Sequence, residues 1–101
     1  MIHAHIAGIV THDPQRRVSD DGVQFLRLRC DCRSVSQGRE RHFKVIAELV
    51  GADMNRPIKP GDGIEVEGSA TTHIVSESGR PPFPVLAIRA RRVRIAPAVE
   101  A

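Results

Sequence analysis

Between Val23 and Arg33 the side chains alternate, and that alternation constrains the fold of this chain more than any other feature. Leu26, Leu28, Cys30 and Cys32 fall on one side, and Phe25, Arg27, Arg29, Asp31 and Arg33 fall on the other. A period of two describes a strand with one face in a core and one in water. No stretch shows sustained helical periodicity, so the apolar face of this strand has to be covered by other strands. Ile2 to Val10 is one of them, with Gly8 placed as a bulge or a point of close backbone approach. The turn Thr11-His12-Asp13-Pro14 and a short arm, Gln15 to Val18, follow. Ser19-Asp20-Asp21-Gly22 then carries the Asp-Gly pair that favours a hairpin.

Beyond the central strand, Ser34 to Arg41 is polar and reads as a flexible loop. A third strand runs from His42 to Val50, with Phe43, Val45, Ala47 and Leu49 on one face and His42, Lys44, Ile46, Glu48 and Val50 on the other. Gly51 to Arg56 has room for one helical turn before Pro57 and Pro60 stop it. Pro60-Gly61-Asp62-Gly63 is turn chemistry, and a fourth strand opens at Ile64 and continues to about Ile74 or Val75. Ser76 to Pro82 forms a hairpin tip. Pro84 to Ile95 is the fifth strand, where the apolar parity switches between Ala90 and Val93, which places a bulge at Arg91-Arg92.

At 101 residues the chain has length for one domain. We place that domain at residues 1–96, with 97–101 as a frayed tail. Five strands with at most one helical turn, in so short a chain, are expected to close on themselves, because open sheet edges invite aggregation. The fold class is therefore all-β, a five-stranded OB-type barrel with its one helical turn between the third and fourth strands.

Charge sharpens the reading. Fifteen Lys and Arg against twelve Asp and Glu give a net charge of +3. Six basic residues and two acids lie between Arg27 and Lys44, and five arginines and no acid lie between Arg80 and Ile95. The segment between them, Val45 to Gly79, holds two basic residues and six acids, which alternate along strands as solvated residues do. A barrel that brings the two basic segments together acquires a cationic face, as a polyanion requires. In OB barrels the ligand surface is the face of the second and third strands with the loops after the first and fourth. Arg27, Arg29, Arg33, His42, Phe43, Lys44, Arg80 and Phe83 all fall in those segments.

Several residues carry two readings. Phe43 has the parity of the core, yet sits where a base would stack. Phe25 shares a face with arginines or plugs a barrel end. Phe83 is a base platform or packs on Pro81 and Pro82. Arg89, Arg91, Arg92 and Arg94 form a second nucleic-acid path or a protein-docking strip. His3, His5, Cys30 and Cys32 supply metal-ligand chemistry, but their spacing is not that of common zinc modules and the cysteines fall on the core face. No metal, no cofactor and no catalytic constellation is assigned, and Gly61-Asp62-Gly63 lacks the pattern of a phosphate loop. The two cysteines are expected to be free, as in a reducing compartment. Without a membrane-length apolar run or a secretory leader, the expected location is the cytoplasm, with no membrane partner.

The layout resembles the bacterial single-stranded DNA-binding protein family. The matching stretches are Ile6-Ala-Gly-Ile-Val with Asp13-Pro14, Gly22, Gly61 to Gly68, and Ser76-Glu77-Ser78-Gly79. Within that family the chain is most similar to the primosomal replication protein N branch. The similarity lies in its length, in Arg16-Arg17-Val18-Ser19, in Arg33-Ser34-Val35 and in the want of an acidic tail. The resemblance implies an OB-fold homodimer of the bacterial cytoplasm, at the nucleoid, without enzymatic activity, that binds single-stranded DNA in replication restart and contacts the restart helicase and other primosome proteins. It also implies DNA contacts from Arg17 in the arm, Arg33 at the end of the second strand, His42 or Phe43 at the aromatic position, and Arg80 in the last hairpin. The chain has no Trp, no Tyr and three Phe, so base stacking is limited and arginine has to carry the contact. The alternatives are a short general single-strand binder of plasmid or phage type, and a barrel that docks an acidic protein partner.

Overall fold

The computed structural model describes residues 2–98, and for residues 34–36 the backbone alone. Six strands form one sheet: β1 (Ile2–Val10), β2 (Gln15–Val18), β3 (Gln24–Ser36), β4 (Arg39–Leu49), β5 (Gly63–Val75) and β6 (Phe83–Ala96). Their order is β1-β5-β6-β4-β3-β2, and β1 also pairs with β3. Five strands thus make a closed ring, and β2 hangs on β3 outside it as the second leg of the Asp-Gly hairpin. All pairings are antiparallel except β4 with β6. A 3₁₀ turn, Gly51–Asn55, is the helical turn expected between β4 and β5.

Ring closure depends on β1 changing partners. Ile2 to Ile9 pair with β5, while Gly8 to Val10 pair with β3. Gly8 therefore faces Ile64 on one side and Cys32 on the other. A Cβ there would lie 2.5 Å from the Asp31 carbonyl oxygen and 2.7 Å from Cys32 Sγ, so the close approach expected at Gly8 is present and needs glycine. The interior is filled by the alternating apolar residues of every ring strand. Leu28, Ala47, Leu49, Val66 and Ile88 have no exposed surface, and Met54 of the 3₁₀ turn packs against one part of this core. Cys30 and Cys32 are buried, free and on the core face, as their parity implied. Burial pushes the Cys30 thiol up to about 12 and the Cys32 thiol up to about 11, so both stay protonated at neutral pH.

The bulge falls where the parity switch placed it. Glu67 pairs with Arg92 and Gly68 with Ala90, leaving Arg91 as the extra residue. Gly68 sits opposite the kink, and a Cβ on it would come within 2.0 Å of the Arg89 carbonyl oxygen.

The structure corrects three expectations. Ser34 to Arg41 is not a loop: β3 and β4 continue pairing out to Ser36 and Arg39, and only Gln37 and Gly38 form the turn. Both turn residues have positive φ (52° and 74°), as a two-residue hairpin requires. Alternation gave no sign of this extension because the ladder projects beyond the core and Arg39 to Lys44 are all exposed. Second, alternation puts Ile46 and Glu48 on the side away from the barrel core, and reads Glu48 as a solvated acid, yet they are only 5% and 6% exposed. A second apolar cluster of Ile46, Val85 and Ala87, with Val75 and Phe83, covers the outside of the barrel at this point. Third, Asp62 is not a solvated acid. Its carboxylate accepts hydrogen bonds from the Lys59 and Ala98 backbone N–H groups at 3.0 and 3.1 Å, fastening the β5 entry turn to the chain after β6. Residues 99–101 of the expected tail lie outside the described residues. Among the described residues no helix is long and apolar enough to cross a membrane.

Two measurements check this account. Gly68→Ala should destabilise the fold by about 1–3 kcal/mol in urea denaturation, because backbone and not a flexible side chain blocks the methyl group. The backbone donors hold the Asp62 carboxyl below its ordinary value of 3.8, so its contribution is present above that pH and is lost as the pH falls through the lower folded value. Asp62→Asn should therefore lower the melting temperature at pH 7, and the deficit should shrink as the pH falls below 3.8.

Candidate nucleic-acid interface

Strand pairing decides which of the expected residues share a surface. Side chains directly opposite on paired strands point to the same side of a sheet. Arg17 of β2 is opposite Phe25 of β3, and Gln15 is opposite Arg27. Arg29, Asp31 and Arg33 are opposite Ile46, Lys44 and His42 of β4. Arg17, Arg27, Arg29, Arg33, His42 and Lys44 therefore lie on one outer face running across β2, β3 and β4. The connection between β5 and β6 reaches the same face, because the Arg29 guanidinium lies 4.0 Å from Glu77 and Glu77 lies 3.6 Å from Arg80. Arg80 caps the Phe83 ring at 4.7 Å from its centroid. Phe83 itself is half-buried in the outer apolar cluster, which supports the base of this hairpin.

Phe43 departs from that face. It pairs with Cys32 and keeps core parity, but it lies past the end of the packed interior and is 39% exposed. With Thr11, His12, Asp31, His42 and Lys44 it lines a shallow depression at the barrel rim. A second, narrower cavity of about 80 Å³ lies between Thr11-His12, the β3–β4 face and the hairpin, with Arg29, Lys44 and Phe83 on its walls.

Phe25 shares the arginine face, as one of its two readings had it, and does not plug a barrel end. It lies on the outer face, yet it is only 5% exposed, because the Arg27 and Arg89 guanidinium groups each stand 5.9 Å from its ring centroid. Arg89 also approaches the buried Glu48 carboxylate at 3.6 Å. Arg27 Nη2 meets His73 Nε2 at 3.5 Å, while Arg27 Nε is buried without a hydrogen-bond partner. This inland cluster of Phe25, Arg27, Glu48 and Arg89 anchors the cationic face to the barrel. Cation–π contacts of this partly desolvated kind contribute about 1–2 kcal/mol each.

Arg89, Arg91, Arg92 and Arg94 do not form one strip, because the bulge at Arg91 separates Arg89 from Arg92 and Arg94. Arg89 has the parity of Val85 and Ala87 and joins the β3–β4 face. Arg92 and Arg94 pair with Glu67 and Glu65 on the β1–β5–β6 side, where His5 also meets Glu65 at 2.7 Å. The parity of Arg89 was readable in the sequence; its contact with Phe25 was not. Histidines and cysteines are not gathered either, since His3 and His5 pair with β5 while Cys30 and Cys32 point inward. Among the described residues no group of three or more His, Cys, Asp or Glu stands close enough to hold a metal ion.

No family model matches the sequence, and no curated protein matches it. Solved structures do match the fold. A small single-stranded DNA-binding protein from Streptomyces coelicolor superposes with a TM-score of 0.70 at 16% identity, covering 92% of each chain. A Plasmodium falciparum single-stranded DNA-binding protein, solved in complex with single-stranded DNA, gives 0.64 at 8% identity over 98% of this chain and 96% of that one. The barrel is an OB fold. A deletion variant of the Thermus aquaticus single-stranded DNA-binding protein gives 0.62 at 20% identity, and there the match covers 92% of this chain and 49% of that one. In this OB barrel the cationic residues occupy the surface that the fold ordinarily offers to oligonucleotides.

The anchoring role of Phe25 is open to measurement. Phe25→Ala should lower stability by about 3 kcal/mol in chemical denaturation, whereas Phe25→Leu should lose much less.

Proposed function

We propose that this protein binds single-stranded DNA across the outer face of β2, β3 and β4, without catalysis. The observation that carries the proposal is the convergence of basic side chains from four separate stretches on that face: Arg17, then Arg27, Arg29 and Arg33, then His42 and Lys44, then Arg80. Guanidinium groups hold phosphates through paired N–H donors and also stack on bases, which suits a chain with few aromatic rings. Phe83 and the rim-exposed Phe43 supply the ring surface. The likeness of the fold to proteins described as single-stranded DNA-binding supports the same reading.

The finer proposal is a homodimeric accessory protein of replication restart in the bacterial cytoplasm, meeting the restart helicase and other primosome proteins. Its support is the resemblance carried by Arg16-Arg17-Val18-Ser19 and Arg33-Ser34-Val35. For dimerisation, Ile2 to Ala7 of β1 pair with β5 along one edge, and among the described residues no strand pairs along the other. Ile2 is 70% exposed there. An open edge with an exposed apolar end favours pairing with a second copy.

Anisotropy of a fluorescein-labelled dT oligonucleotide tests the DNA reading, since the chain has no Trp or Tyr to quench. Binding should weaken steeply with salt, with a slope of about −0.7 per phosphate contacted. Arg33→Ala and Arg80→Ala should each lower affinity and flatten the slope by about one phosphate's worth. No binding at low salt would leave the barrel as a protein-docking module, and unchanged slopes in both variants would move the site elsewhere. Sedimentation equilibrium separates the finer alternatives: a dimer agrees with the primosomal role, and a tetramer with a general single-strand binder.

A further inference from the structure

Besides Asp31, which meets His42 Nδ1 at 3.5 Å, and the buried Glu48, two carboxylates stand among the basic groups of the β3–β4 face, each bracketed by groups from different parts of the chain. Glu77, in the β5–β6 connection, places Oε2 3.6 Å from Arg80 Nη1 and Oε1 4.0 Å from Arg29 Nη1 on β3. Glu40, on β4, places Oε1 3.1 Å from Arg33 Nη1 on β3 and 3.6 Å from His42 Nε2. An oxyanion between two cationic or N–H-bearing groups from neighbouring elements is the arrangement in which a backbone phosphate is held.

We infer that Glu77 and Glu40 occupy two phosphate positions of the single-stranded DNA path, as internal competitors that the incoming strand displaces. This deepens the DNA-binding reading and rests on it. Arg29 and Arg33 are four residues apart on one strand face, roughly 13 Å, so the two positions are separate points along a strand and not one shared pocket. At these two positions the free protein therefore presents Arg29, Arg80 and Arg33 already paired with carboxylates. Binding there exchanges carboxylate for phosphate and does not fill bare positive charge. Arg80 makes the same exchange at the hairpin, where its guanidinium covers the Phe83 ring that a base would need.

The competing view is that the carboxylates order the arginines and so assist binding. Their exposure argues against it, since Glu77 and Glu40 side chains are 38% and 48% exposed and ion pairs of that kind order their partners weakly. The hairpin also keeps its backbone bond from Arg80 N–H to the Glu77 carbonyl whatever side chain stands at 77. Repulsion between a carboxylate and a phosphate about 4 Å apart in water corresponds to about a fivefold loss of affinity.

The test uses Glu77→Gln, Glu40→Gln and the double variant, with Glu67→Gln as a control for the change in net charge. Glu67 is exposed on the β1–β5–β6 side, opposite Arg92. With labelled dT oligonucleotide, Glu77→Gln and Glu40→Gln should each tighten binding about fivefold beyond the control, and the double variant about 25-fold. Tightening no greater than that of Glu67→Gln, or a loss of affinity in both variants, overturns the inference while the DNA reading stands. Absence of binding by the unaltered protein removes both. The two positions belong to different elements, so one variant remains decisive if the other does not fold.

Discussion

The fold turns on the contact between β1 and two neighbours at Gly8. Only there does the first strand leave β5 and meet β3, and only a residue without a Cβ lets the Asp31 carbonyl and the Cys32 sulfur come so near. That closure gives a short chain a shared interior, because each ring strand then has one face against the others and one in solvent. It also fixes where the outer faces lie. Once β3 is held by β1 on one side and β4 on the other, Arg27, Arg29 and Arg33 project outward together.

The outer surface is packed as well as charged. Ile46, Val85 and Ala87, joined by Val75 and Phe83, seat the base of the β5–β6 hairpin on the barrel wall. Beside them, Phe25 lies under Arg27 and Arg89. These contacts tie the connection that carries Arg80 to the strand that carries Arg29, although some fifty residues of chain separate them. The geometry of the cationic face is therefore set by apolar contacts beneath it, which do not weaken in salt as the contacts above them do.

Charge is distributed unequally over the two sides of the barrel. On β5 and the end of β6, Glu65 and Glu67 are faced by Arg94 and Arg92, with His5 of β1 hydrogen-bonded to Glu65, so opposite signs alternate and the field largely cancels. On β2, β3 and β4, cations outnumber carboxylates, and those carboxylates are placed between cations. A modest net charge of +3 thus coexists with one surface suited to a polyanion.

Alternation of side chains determined the strands, their inward residues, the single helical turn and the bulge at Arg91, because burial of a strand face is a local, periodic property. The choice of glycine at position 8 was legible too, since close approach leaves a compositional trace. Three matters were settled only in three dimensions. The β3–β4 ladder runs to Gln37-Gly38 in a region with no buried face to impose a pattern. Ile46, Glu48 and Phe25 are covered by residues from β6, which strand parity cannot announce. Glu40 and Glu77 come to stand between cations because ion pairing across strands depends on register and hairpin position, quantities that long-range packing sets and no local sequence window contains.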